Sequence, residues 1–299
     1  MPKKVIVAMS GGVDSSVAAA LLRKQGFQVT GVFMKLNNVS GDALSRAENV
    51  ARILKIPFLV LDLMKEFKKE VIDYFLKEYE HGRTPNPCVI CNKEIKFNCL
   101  FKLKADFFAT GHYAKIKNGR LFMAKDKLKD QSYFLWKLNQ NQLKRVLFPI
   151  GDYTKPEVRK LAKKFKLPVA ETPESQDICF NIPPHIKFYT IGQRKGLGLS
   201  GGPFWVLGRD KKKNLILTKN EKDLFKKELR FRNASWLSGK PPKLPAKIKA
   251  KIRSRSELAS AAVYEDNRVI FAKPQRAITP GQSIVFYNRR ELIGGGVIC

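Results

Sequence analysis

No stretch of this 299-residue chain is apolar for long enough to span a bilayer. The start, Met1-Pro2-Lys3-Lys4-Val5, enters an apolar segment almost at once and leaves no room for a signal peptide. Both absences lead to the expectation of a cytoplasmic protein that does not contact the membrane. Cysteine is scarce: Cys88, Cys91, Cys99, Cys179 and Cys299. In a reducing compartment five such residues do not make a structural disulfide framework. Acidic residues are also few, 26 against 57 lysines and arginines, for a net charge of +31. That excess concentrates polyanions and speeds their capture, so nucleic acid is the expected partner. The basic residues run along the whole chain, which predicts a broad docking face and not a disordered arm. No internal repeat is visible.

The strongest positive signal is Ser10-Gly11-Gly12-Val13-Asp14-Ser15-Ser16. Val5-Ile6-Val7-Ala8-Met9 before it reads as a buried parallel strand, and Val17-Ala18-Ala19-Ala20-Leu21-Leu22 after it as a helix. Glycines let backbone approach a ligand, and hydroxyls with free N–H groups at a helix start suit phosphate. The lysine of a Walker loop is missing. The loop instead resembles that of enzymes that split ATP into AMP and pyrophosphate.

Strand and helix then alternate. Gln28 to Met34, Pro57 to Leu61 and Ala105 to Thr110 read as strands, and Ala43 to Leu54 and Phe67 to Tyr79 as helices. This predicts a parallel sheet covered on both faces, with ligand beyond the carboxyl ends of the strands, where Ser10, Met34 and Gly111-His112 fall. Tyr113 to Lys125 reads as a hairpin around Asn118-Gly119. Lys155 to Phe165 is a helix capped by Thr154, with Pro156 in its first turn. The character changes after Phe180. Pro183-Pro184 breaks any helix, and Gly192 to Gly202 is glycine-rich and basic. From Leu229 onward short alternating strands (Ala246 to Ile252, Ala259 to Tyr264, Arg268 to Phe271, Ser283 to Tyr287, Leu292 to Ile298) predict a small β-barrel. The expected division is a catalytic α/β domain over 1–186, a small central domain over 187–228 and a barrel over 229–299.

Thr84-Pro85-Asn86-Pro87-Cys88-Val89-Ile90-Cys91-Asn92-Lys93 is the second signal. It places Cys91 near a helix start beside Lys93, which favours the thiolate. Cys99 falls on an apolar helical stripe and reads as a buried small hydrophobe. Cys179, in Glu174-Ser175-Gln176-Asp177-Ile178-Cys179-Phe180, reads either as a core cysteine or as a partner for sulfur exchange with Cys91. Cys88-x-x-Cys91 also has metal-ligand spacing. Zinc lacks a fourth ligand, and an iron–sulfur cluster on Cys88, Cys91 and Cys179 is a further reading.

VIVAMSGGVDSSVAA, GVFMK, GRTPNPCVICNKEIKF, ATGHYA, KDQSYFLW, SQDICF, IGQRKGLG, ITPGQSIVFYN and LIGGGVI together resemble the tRNA-specific 2-thiouridylase family (MnmA/TrmU type, ATP pyrophosphatase loop superfamily). They run in order over nearly the whole chain. The resemblance implies ATP-dependent thiolation of the wobble uridine of tRNA. ATP and Mg²⁺ would bind over Ala8, Met9, Ser10, Gly11, Gly12, Val13, Asp14 and Ser15, with Met34 and Gly111. Cys179 would carry a persulfide, and Cys91 would be its partner thiol and form the Cys91–Cys179 disulfide. The target base would lie at Asn86, Pro87 and Cys88. tRNA would be contacted by His112, Lys129, Asp130, Gln131, Arg253, Ser254 and Gln282. A cysteine desulfurase or a sulfur-relay protein would supply sulfur.

Two features depart from the family pattern. Cys88 stands where some members carry Asp, and the stretch from Phe180 to Ile191 is short, so a reduced central domain is expected. The competing readings are another tRNA-modifying enzyme with this ATP loop, such as a lysidine synthetase, and a tRNA-binding homologue without activity. The thiolation reading needs the Asn86–Asn92 and Asp177–Phe180 segments in one cleft.

Overall fold

The apolar run Lys4–Ala8 (β1) is the centre of a five-stranded parallel sheet. On one side lie Gln28–Lys35 (β2) and Phe58–Asp62 (β3), and on the other Phe107–Thr110 (β4). A hairpin follows, Ala114–Lys117 (β5) and Arg120–Met123 (β6), before the short Val146–Leu147 (β7) completes the sheet in the order β3-β2-β1-β4-β7. Chain order reverses between β1 and β4, which opens a crevice at their carboxyl ends. Val13–Lys24 (α1) packs on one face through Val17, Ala18 and Leu21, together with Gly41–Ile53 (α2) and the Lys155–Lys164 helix. The computed structural model describes residues 1–38, 41–173, 179–180, 188–210, 212 and 214–299. Glu174 to Ile178 and Pro183-Pro184, read above as a cysteine-flanking motif and a helix breaker, lie outside the described residues.

Asn118 and Gly119 take φ 52° and 70°, the two positive values of a type I′ turn, as the Asn-Gly pair predicts. The hairpin leaves the α/β domain and adds to the C-terminal sheet, with Leu121 opposite Leu292. That sheet comprises Phe225–Trp236 (β10), Ala246–Lys251 (β11), Ala259–Val263 (β12), Arg268–Arg276 (β13), Ser283–Asn288 (β14) and Glu291–Ile298 (β15); these are β10–β15 because two central strands, Trp205–Arg209 (β8) and Leu215–Thr218 (β9), precede them as a separate ribbon. Pairing of β10 with both β13 and β15 closes the barrel. The barrel and the α/β domain share a core in which Phe97, Phe108, Tyr133 and Trp136 pack with Val285, Tyr287 and Leu292. Tyr133 OH donates to Ser283 O at 2.7 Å and Trp136 Nε1 to Ser283 Oγ at 3.1 Å, so those polar edges are satisfied at depth. The barrel therefore braces the site. No helix among the described residues is long and apolar enough to cross a membrane.

Candidate active site

The Ser10–Ser15 loop leaves β1 at the crevice and turns into α1. Gly11 has φ +75°, and a Cβ there would meet Ala43 O at 2.1 Å. A Cβ at Gly111, just past β4, would lie 2.5 Å from Ser15 N. Both positions require glycine for close backbone approach. The loop is braced from within: Ser10 N–H donates to Ser15 Oγ (3.1 Å), and the Ser15 and Ser16 hydroxyls donate to Gly12 O (3.2 and 2.9 Å). Arg46 Nε from α2 donates to Gly11 O at 3.2 Å. The first N–H groups of α1 have no partner within the helix, and they open on a cleft of about 470 Å³.

Ala8, Met9, Ser10, Gly12, Val13, Asp14, Ser15, Met34 and Gly111 line this cleft, with His112, Lys129 and Gln131. So do Arg46, Lys96, Tyr113 and Lys155, which sequence reasoning did not single out. Asp14 is the one carboxylate among the lining residues, against four cations, so the cleft suits a polyanion. Lys155 Nζ reaches both Asp14 oxygens, at 2.7 and 2.8 Å, and Tyr113 OH donates to Oδ1 at 2.8 Å. The signal for Lys155 was its place at the start of a well-capped helix, where the Glu157 carboxylate accepts from Thr154 N–H and hydroxyl.

His112 is buried, stacked on Phe97, with its Nδ1 in a 2.7 Å hydrogen bond with Thr110 Oγ1. Burial, and then the nearby Lys96 charge, hold its pKa well below the ordinary value, so the imidazole is neutral.

The cysteine motif forms a helical turn, Pro87–Ile90, continued by a wider π-type stretch, Cys91–Phe97. Cys91 sits five residues into this run, 5% exposed, among Phe67, Phe75, Ile95 and Phe180. Burial pushes its thiol up to about 11, and Lys96 opposes the rise. This corrects two sequence expectations. Cys91 is not a ready thiolate at a helix start, because Pro87 begins the helix and apolar packing dominates. The cation that acts on it is Lys96, because Lys93 pairs with Glu94 at 2.8 Å. Cys88 reaches solvent, yet the surrounding protein also pushes its thiol up, again against Lys96. Cys179 is exposed, and its charge would raise both other thiols, which places the three in one neighbourhood. Phe180 anchors it by edge contacts with Phe67 (6.1 Å) and Phe75 (5.1 Å), and Asn37 Nδ2 donates to Cys179 O at 2.7 Å. The cysteines are free thiols. Among the described residues no three His, Cys, Asp or Glu side chains are gathered to hold a metal ion. A cluster held by Cys88, Cys91 and Cys179 is therefore not shown by this arrangement.

The remaining expected contacts divide into two groups. The barrel turn holds the cysteine loop: Gln282 Nε2 donates to Thr84 O (3.1 Å) and Pro85 O (3.3 Å), and Thr84 N–H to Pro280 O (2.9 Å). Asn86 is buried there and hydrogen-bonded with Tyr133. Arg83 grips Glu78 with two 2.6 Å bonds and holds its carboxyl below the usual range, which fixes the other end of the loop. Asp130 and Arg253, by contrast, are committed inside the fold. Asp130 accepts from Ala124 N–H (2.9 Å) and Ser132 Oγ (2.9 Å), and burial raises its pKa. Arg253 Nη2 donates to Ile191 O (2.9 Å), Ala277 O (3.2 Å) and Thr279 Oγ1 (3.0 Å). Ser254 O accepts from Lys251 Nζ at 3.2 Å. Lys129 and Gln131 face the cleft, and Tyr113 N–H donates to Gln131 Oε1 at 3.0 Å.

Residues 3–182 match the family described as tRNA methyl transferase HUP domain, 185–218 its PRC-barrel domain and 226–298 an aminomethyltransferase beta-barrel domain. A relative from Syntrophomonas wolfei named tRNA-specific 2-thiouridylase MnmA is 43% identical over 338 positions, covering 99% of each chain. One from Thermoanaerobacter sp. named tRNA-specific 2-thiouridylase MnmA 2 is 43% identical over 354 positions, 99% of this chain and 97% of its own. One from Clostridioides difficile with the first name is 41% identical, covering 100% and 98%. These alignments are longer than the 299 residues here, so the relatives carry stretches that this chain lacks. A solved 4-thiouridine synthetase–RNA complex with bound ATP aligns at TM-score 0.40 and 21% identity, over 57% of this chain and 43% of that one. With a phosphate-type loop, a central PRC-barrel segment and a closed barrel in matching order, the chain belongs to the tRNA-specific 2-thiouridylase family.

Proposed function

We propose that this protein is a cytoplasmic sulfurtransferase that thiolates carbon 2 of the wobble uridine of tRNA, using ATP. The single observation that carries the reading is the place of Lys96. Its side chain lines the cleft beside the glycine loop, and its charge acts on Cys88, Cys91 and His112. This supports the reading of anion-binding loop and thiols as parts of one site.

A urea-like carbonyl is a poor electrophile, so its oxygen must become a leaving group. ATP lies over Ala8 to Ser15, with Met34 and Gly111 towards the adenine. The uridine 2-oxygen attacks the α-phosphorus, and the bond to the β-phosphate oxygen breaks to release pyrophosphate. The loop amides and the four cations stabilise the charge that develops. Mg²⁺, when bound, would neutralise phosphate charge, and Asp14 is the carboxylate that would hold it. The terminal sulfur of a persulfide on Cys179 attacks C2, and AMP leaves with the former 2-oxygen. Cys91 then attacks Cys179 Sγ. The sulfur–sulfur bond breaks, sulfur stays on the base, and a Cys91–Cys179 disulfide remains for an external dithiol to reduce. A cysteine desulfurase or relay protein reloads Cys179.

The base must leave its stack to enter. Asn86, Pro87 and Cys88 are assigned to the target base, and His112, Lys129 and Gln131 to the nucleotides beside it. Gln282, Asp130, Arg253 and Ser254 serve tRNA by holding the surface that it meets. The test is incubation with ATP, a persulfide donor and wobble-uridine tRNA. One 2-thiouridine per AMP and per pyrophosphate is expected. ATP cleavage with no sulfur in the tRNA would reject thiolation. A lysidine synthetase-like activity would persist in Cys91→Ser and Cys179→Ser.

A further inference from the structure

The glycine loop has no lysine of its own, yet a lysine from elsewhere in the chain reaches it. We infer that Lys155 is the cation that receives the outer phosphates of ATP, and later pyrophosphate, with Asp14 holding it ready over the loop. The inference rests on the proposal that ATP occupies this cleft.

Lys155 is 8% exposed, which is rare for lysine without a specific task or partner. Its backbone is fixed: N–H donates to Asp126 Oδ2 at 3.0 Å, and its helix packs on α1 through Val158 and Ala162. Its ammonium lies 2.7 and 2.8 Å from the two oxygens of Asp14, the second residue of α1. That is the turn whose free N–H groups attract anions. A bare carboxylate there would repel a triphosphate, and Lys155 cancels its charge. An ammonium has three donors, so one lysine can bridge a carboxylate and a phosphate oxygen at once. Tyr113 OH, at 2.8 Å from Asp14 Oδ1, keeps the carboxylate oriented while Lys155 turns one N–H to the phosphate. Of the four cations that line the cleft, Lys155 holds its ammonium against Asp14 in the first turn of α1.

The test uses Lys155→Arg, Lys155→Met and the pair Asp14→Asn with Lys155→Met, which leaves no unpaired carboxylate over the loop. Binding of ATP and of inorganic pyrophosphate is measured by calorimetry beside thermal melting. Lys155→Met and the pair are expected to weaken pyrophosphate binding about 10- to 100-fold, the range lost with one charge-assisted hydrogen bond. Lys155→Arg should restore most of it. In steady state the loss should fall on KM for ATP and on product inhibition by pyrophosphate. Wild-type pyrophosphate affinity in the folded double variant would overturn the inference. Failure of the wild-type protein to bind ATP would instead overturn the reading on which it rests.

Discussion

In the resting protein Cys91 should be a slow nucleophile. Its thiol is pushed from the ordinary 9 to about 11, by burial first, with Lys96 opposing and Cys179 and Cys88 adding to the rise. At pH 8 about one molecule in a thousand then carries the Cys91 thiolate, against about one in ten at the ordinary value, a difference of about 100-fold. The assay is timed alkylation with iodoacetamide, quenched and read by mass spectrometry of the separate Cys91 and Cys179 peptides. Cys91 should label about 100-fold more slowly than a free cysteine at pH 8, and its rate should climb tenfold per pH unit towards 11. Exposed Cys179 should label faster. Lys96→Met should slow Cys91 further, because the opposing charge is gone. The raised pKa also has a stability consequence. The folded state holds the proton more tightly than the unfolded one. Its contribution is intact below pH 9 and is lost as pH rises from 9 to 11, by up to about 3 kcal/mol. A Cys91 labelling rate that matches free cysteine, or levels off by pH 8, would refute the argument.

Gly111→Ala should abolish ATP binding, since its Cβ would lie 2.5 Å from Ser15 N; calorimetry on folded variant protein checks this. Asp130→Ala should cost about 3 kcal/mol by removing a buried acceptor near Lys251, read by urea unfolding. Arg253→Ala should destabilise the protein yet leave the salt slope of tRNA binding unchanged; a phosphate contact would lower that slope by about one. Gln282→Ala should free the Thr84–Pro85 loop and lower kcat for thiolation more than tRNA affinity, measured in single turnover and by filter binding.

Local patterns were legible where one segment carries the whole signal. The glycine loop, the Asn118-Gly119 turn, the Thr154 cap and most barrel strands are of that kind. The Phe225–Trp236 strand was not identified, because only Leu229 and Phe231 of its twelve residues are fully buried and the rest are mostly exposed and charged. Val146–Leu147 is two residues long and forms only beside β4. The site was half legible. Ser10, Asp14, Cys91 and Cys179 lie in dense motifs. Arg46, Lys96 and Lys155 reach the cleft through helix packing, and their local sequence is that of ordinary solvated lysines and arginines. Arg253 and Asp130 were expected as tRNA contacts, yet Arg253 holds carbonyls of segments distant in sequence, and Asp130 holds the Ala124 amide and the Ser132 hydroxyl close by in its own segment. Helical periodicity placed Cys91 on a helix, but the burial that sets its thiol comes from Phe67, Phe75 and Phe180.

The most direct test of the account is a single turnover with enzyme persulfidated on Cys179 and freed of iron, mixed with ATP and wobble-uridine tRNA without further donor. The account predicts one 2-thiouridine per loaded sulfur and one Cys91–Cys179 disulfide by mass spectrometry, with neither product in Cys179→Ser. Equal thiouridine from Cys179→Ser, or formation only after iron is restored, would contradict it.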